Sequence, residues 1–144
     1  MTQEDKELLI KDMCSRLPYG VQILYDSDKK FNSGLICQPY GLTIYNGRTC
    51  ALAFGIVDPI EIDEFKLCLR TLSSITGEEE KEFNQIFELE LKALEDTTVG
   101  HSIESAASST FMIDFYNKHH FDYRGLISMH LALEAPEGIY VKSK

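Results

Sequence analysis

The sequence predicts an α+β protein. It should have an N-terminal helix, a small and mostly antiparallel β-sheet open to partial closure into a barrel, and a C-terminal helical segment. Three observations carry this. Apolar residues recur at helical spacing over residues 2–17. From residue 20 the period changes, and β-branched and aromatic residues gather between turn formers. At residue 76 helical spacing returns behind a capping signal. The chain thus divides into a helix-plus-sheet part, 1–75, and a helical part, 76–144, expected to pack as one compact unit.

Thr2 can cap the first helix, with Asp5 three residues on near the positive helix end. Leu9, Ile10, Met13, Cys14 and Leu17 share one face, and Pro18 stops the helix. GVQILYD (20–26) reads as a strand. Asp26 and Asp28 beside Lys29 read as a turn, since no D-x-[DN]-x-[DN]-G run follows. In GLICQPYGLTIYNGRTCALAFG, two β-rich runs flank Asn46-Gly47, the signature of a two-residue hairpin. A strand is expected near PIEI (59–62), and DEFKLCLRTL (63–72) fits either a strand or a short helix.

Thr76 and Glu79 form a capping box for a helix running to about residue 95, with Phe83, Ile86, Phe87, Leu91 and Leu94 as its buried stripe. TTVGHSIESAASS (97–109) reads as a mobile connector. A third helix over 110–118, capped by Ser109 or Thr110, turns Met112, Phe115 and Tyr116 inward. Asp122 can cap a fourth, short helix beginning at Tyr123, with Leu126 and Ile127 buried. LALEAPEGIYVK ends in an extended stretch and a turn at Pro136 to Gly138.

The 144 residues suffice for a core that needs no staples, with 44% apolar and 26% charged residues. No stretch approaches the roughly 18 apolar residues of a membrane helix. The start, MTQEDKELLIKD, lacks the basic and apolar regions of a signal peptide, so a cytoplasmic protein is expected. Cys14, Cys37, Cys50 and Cys68 show no CxxC pair and sit among apolar neighbours. They read as buried, reduced thiols and not as zinc ligands. Without GxxxxGK[ST] or GxGxxG, no nucleotide cofactor is expected. The net charge of −9, with Lys29-Lys30 and Lys142 to Lys144 as the basic clusters, argues against direct nucleic-acid binding.

The stretch NKHHFDYRGLI (117–127) holds the candidate chemistry. His119 or His120 could serve as a general base oriented by Asp122. The competing reading is a joint between helices, and the spacing favours it. Adjacent side chains diverge, Asp122 suits an N-cap, and Phe121 with Leu126 suits a hydrophobic staple. The two histidines then occupy the negative end of the third helix. His101 and His130 complete the histidines, and without an HExxH pair no metal site is expected. Tyr40, Tyr45, Tyr123 and Arg124 are the candidate partner-binding residues, of the types that protein interfaces favour.

Several strings resemble one family. They are RLPYGV (16–21), FKLCLRTLSSITGEEE (65–80) and IDFYNKHHFDYRGLI…LALEAPEGIY (113–140). The family comprises small uncharacterised proteins carried by phages, prophages and other mobile elements of gut anaerobes. Its members carry IKPYLRPLSSMTEEE where this chain has residues 65–80, without the prolines and tyrosine here. They tend to have glycine at the place of His130, which implies that a helix ends there in a left-handed cap. The resemblance implies a mobile-element origin and no particular activity. The leading expectation is a non-enzymatic accessory protein acting through a protein partner or a second copy, away from nucleic acid and membrane. The alternatives are a small hydrolase or nuclease using His119, His120 and Asp122, and an acidic nucleic-acid mimic or anti-defence inhibitor.

Overall fold

The computed structural model describes residues 1–31, 34–96 and 111–140. Helix α1 spans Gln3–Arg16. Its capping box is complete: the Thr2 hydroxyl accepts from the Asp5 N–H, and the Asp5 carboxylate accepts from the Thr2 N–H. Pro18 sits inside a short 3₁₀ turn, Leu17–Tyr19, that ends the helix at Gly20. Leu9 and Met13 are fully buried. Cys14, expected on that buried face, is exposed. Its place inward is taken by Asp12 and Arg16, which are both 0% exposed.

The strands are β1 (Gln22–Tyr25), β2 (Leu35–Cys37), β3 (Pro39–Tyr45), β4 (Arg48–Ala53), β5 (Ile60–Glu61), β6 (Phe65–Leu69) and β7 (Ala132–Glu134). They form two open sheets where one was expected. The four-stranded sheet has the order β2-β1-β6-β7, and the three-stranded sheet the order β3-β4-β5. Gln38 alone separates β2 from β3, so the chain turns a corner there. Pro39 suits the turn because a proline at the start of a strand forfeits no ladder donor. The ambiguous 63–72 stretch supplies strand β6, then a 3₁₀ turn at Leu72–Ser74. Most pairs are antiparallel, and β6 with β7 is the parallel one.

Asn46 and Gly47 take φ of +51° and +73°, and Tyr45 faces Arg48 across them, as the hairpin reading requires. The Asp26 carboxylate accepts from the N–H groups of Asp28 and Phe31, confirming the turn. The core is shared: α1 gives Leu9 and Met13, the larger sheet Ile23, Leu67 and Leu69, the smaller Ala51, Ala53 and Ile60, and the last segment Leu126 and Ala132.

Helix α2 spans Gly77–Asp96, and Thr76 caps it through the N–H of Glu79. The expected buried stripe is only partly described. Phe83 and Ile86 are half-buried and Phe87 is exposed. Leu91 and Leu94 lie outside the described side chains, as do the 97–109 connector, His101 and the Ser109/Thr110 cap. Helix α3 covers 111–118 and buries Phe115 against Phe83, with Met112 and Tyr116 half-buried. The fourth helix does not form. Residues 126–130 make one closed turn, too short for a helix between Gly125 and the strand β7. No helix among the described residues is long and apolar enough to cross a membrane.

Candidate functional site

The 117–127 stretch joins helix α3 to the larger sheet and not, as expected, to a second helix, and its backbone explains why. Helix α3 ends in a Schellman motif: the Phe121 N–H donates to the Tyr116 carbonyl and the His120 N–H to that of Asn117. His120 holds the left-handed position, φ +61°. The 126–130 turn ends the same way. Leu131 donates to Leu126, His130 to Ile127, and His130 has φ +61°. Glycine is the usual residue at both positions.

Between the two motifs the chain joins the larger sheet. The Arg70 N–H donates to the His120 carbonyl and the Asp122 N–H to that of Arg70, both at 2.8 Å. Asp122 therefore points away from the histidines. Its carboxylate accepts from the N–H groups of Leu126 (2.8 Å) and Ile127 (2.9 Å). These donors lie one to two residues beyond those an N-cap normally reaches, so Asp122 braces a wide turn and does not start a helix.

A cleft of about 540 Å³ opens beside this joint, lined among others by Tyr19, Arg70, Glu79, Glu82, His119 and Tyr140. Here histidine and carboxylate do converge, although the carboxylates are not the expected one. His119 Nε2 lies 2.9 Å from Glu82 Oε2, and its Nδ1 lies 3.7 Å from Glu79 Oε2. Arg70 grips Glu79 with two nitrogens, at 2.8 and 3.1 Å, and Lys118 holds Glu82 at 2.8 Å. Basic and acidic side chains alternate along Arg70, Glu79, His119, Glu82 and Lys118. Burial alone would raise the Glu82 carboxyl; the hydrogen bonds and charges of Lys118 and His119 outweigh it and leave it lowered.

His120 lies deeper. Its ring stacks on Tyr140 at 4.0 Å and 18°, and it hydrogen-bonds to the Tyr19 backbone. Burial and then the Arg16 charge depress its pKa to about 4, against a smaller upward pull from the Tyr19 bond. It is neutral near pH 7, and its Nδ1 has no partner among the described residues. Tyr140 in turn bridges two strands. Its hydroxyl accepts from the Gln22 N–H (2.9 Å) and donates to the Cys68 carbonyl (2.6 Å). Burial raises its pKa.

Beneath the joint lies a buried ionic knot. Arg16 binds both oxygens of Asp12 and reaches the Phe121 carbonyl at 2.7 Å. Arg124 adds a bond to Asp12 at 3.1 Å, and both arginines pack on the Tyr123 ring. Tyr123 and Arg124 are thus engaged within the molecule.

Tyr40 and Tyr45 are exposed, Tyr40 in contact with the ring of Phe54 at 4.8 Å. Sequence reasoning missed Asp12, Arg16, Glu82 and Tyr140, and read Glu79 only as a helix cap. An i,i+4 Asp–Arg pair ordinarily reads as a solvated helix face. No cluster of three or more metal-ligating side chains exists among the described residues. No family model, curated protein or solved structure matches the chain.

Proposed function

We propose that the chain acts by holding a protein partner, with the β3–β4 hairpin and its flank as the docking face. One observation carries this reading. Tyr40, Ile44, Tyr45, Phe54 and Val57 are all exposed, Ile44 at 76% and Val57 at 97%. Scattered surface apolar residues are ordinary, but a concentration in one supersecondary unit marks a contact site. The mobile-element origin implied by the resemblance fits an accessory role of this kind. Affinity capture from host-cell lysate, with wild type beside Tyr40→Ser/Phe54→Ser, tests the face. A partner held by the first and lost by the second, with circular dichroism unchanged, is the expected outcome. Equal capture by both rejects it, as does capture by neither when the chain also stays monomeric. Duplex DNA should show no gel shift at physiological salt, because a chain of net charge −9 lacks the clustered cations that phosphates require.

The cleft favours a second reading, a small hydrolase. His119 would have to act as base, yet both its ring nitrogens face carboxylates, and no serine, threonine or cysteine is among the described lining residues. Reading the charge row as a structural clasp leaves none of its groups unexplained.

A further inference from the structure

The surface proposed above contains a strand edge that complements itself. β3 has seven residues, more than any other described strand, yet it lies at the edge of its sheet. Edge strands are normally short or carry charges that stop another chain from pairing. Residues 39–47, PYGLTIYNG, carry no Asp, Glu, Lys or Arg. In a chain of net charge −9, this is a strip along which two copies can approach without bringing carboxylates together.

The hairpin fixes which backbone groups are free. The two-residue turn makes Tyr45 and Arg48 a hydrogen-bonded pair, and the alternation carries on to Thr43–Cys50 and Gly41–Leu52. Leu42 and Ile44 therefore point their N–H and C=O groups outward, where no further strand lies among the described residues. The register shift between Pro39 and Gly41, and the turn at Asn46-Gly47, confine the usable edge to residues 41–45.

We propose that this edge pairs with the same edge of a second copy, antiparallel about a two-fold axis through Thr43; the proposal rests on the docking-face reading and names one occupant of it. The register brings together the outward groups of Leu42 in one copy and Ile44 in the other, and the reverse. Thr43 meets Thr43, a favourable cross-strand pair. Tyr45 lies opposite Gly41, where a side chain would meet nothing within 4 Å in the single chain. An aromatic ring covering an edge glycine is a recognised stabilising arrangement. Ile44, 76% exposed in the single chain, gains Leu42 as its neighbour. The two three-stranded sheets become one continuous six-stranded sheet with β5 at each end.

Light scattering over a concentration series tests this first. Wild type should reach twice the 16.4 kDa chain mass. Ile44→Pro removes one outward N–H and leaves the β4 ladder whole, so it should stay monomeric, as should Ile44→Lys. Val57→Lys, off the strand, should still dimerise. Oxidative cross-linking in a Cys14→Ser background is the second test, and it needs no destabilising change. Thr43→Cys should give a covalent dimer, and Tyr45→Cys, which faces Gly41, should not. A wild type that stays monomeric, a dimer that survives Ile44→Pro, or a Thr43→Cys that does not cross-link overturns the pairing. If that happens while the Tyr40/Phe54-dependent partner is still captured, self-pairing alone is wrong. If the dimer forms and no lysate partner is captured, the pairing stands and the second copy is the partner.

Discussion

Asp12 and Arg16 are where a single side chain matters most. Both are fully buried; Asp12 is compensated by Arg16 and Arg124, and Arg16 by Asp12 and the Phe121 carbonyl. Removing one partner from a buried ion pair strands the other, which costs roughly 3–5 kcal/mol. Asp12→Ala should therefore lower the denaturant midpoint strongly, and Asp12→Leu with Arg16→Met should recover much of the loss. His120 and His130 offer a sharper contrast, since both hold the left-handed position of the same motif. His130 is exposed, so His130→Gly should stabilise by about 0.5–1 kcal/mol as side-chain crowding is relieved. His120→Gly should destabilise despite the same relief, because the Tyr140 stack is lost. His120 also sets a pH dependence. Its folded pKa, about 4, lies below its ordinary value of 6.5, so the unfolded chain binds the proton more readily. Its contribution is complete above pH 6.5 and is lost as pH falls toward 4. The size is on the order of 3 kcal/mol. Urea titrations between pH 7 and 4 should show this slope, and His120→Gln should flatten it.

Elements defined by local chemistry were legible in the sequence. Thr2 with Asp5, Asn46-Gly47, Thr76 with Glu79, and Pro18 each act within four residues, so a short string contains both partners of the interaction. Gly47→Val puts a β-branched residue at φ +73° and should cost about 1–2 kcal/mol, read as a lower melting temperature with the sheet spectrum retained. Elements defined by distant partners were not legible. The division into two sheets depends on Gln38 turning a corner, and nothing local distinguishes that from a continuous strand. The fourth helix failed for a related reason. Its apolar pair and capping aspartate are real, but Leu126 and Ile127 spend their N–H groups on Asp122 and the next residues are drawn into β7. The candidate site was half legible: the end of the third helix was readable from 117–127, whereas the joint leads into the sheet and not into a second helix, and Glu79 and Glu82 come to His119 from another helix.

Across the molecule, one shared core ties α1, both sheets and the last described segment together. The thiols report on its integrity. Cys37, Cys50 and Cys68 are buried, and burial raises each, Cys68 to about 11. Cys14 is exposed. A thiol reagent should thus find one fast-reacting cysteine in the native protein and four after denaturation without reductant. Two fast thiols would mean that the sheets open readily; fewer than four in the denatured chain would mean a disulfide.

The bridge made by Tyr140 sets a timetable for synthesis. Its hydroxyl meets the Gln22 N–H across 118 residues of chain. At the ordinary pace of translation, that interval lasts roughly 6–24 s. Once β6 has been made, β1 and β6 can find each other, but the outer edge of β6 still has neither β7 nor the tyrosine to cover it. The larger sheet therefore cannot close while its N-terminal half is emerging from the ribosome. The nascent chain is most open to wrong strand pairing in that window, and it becomes safe only when its final described residues arrive.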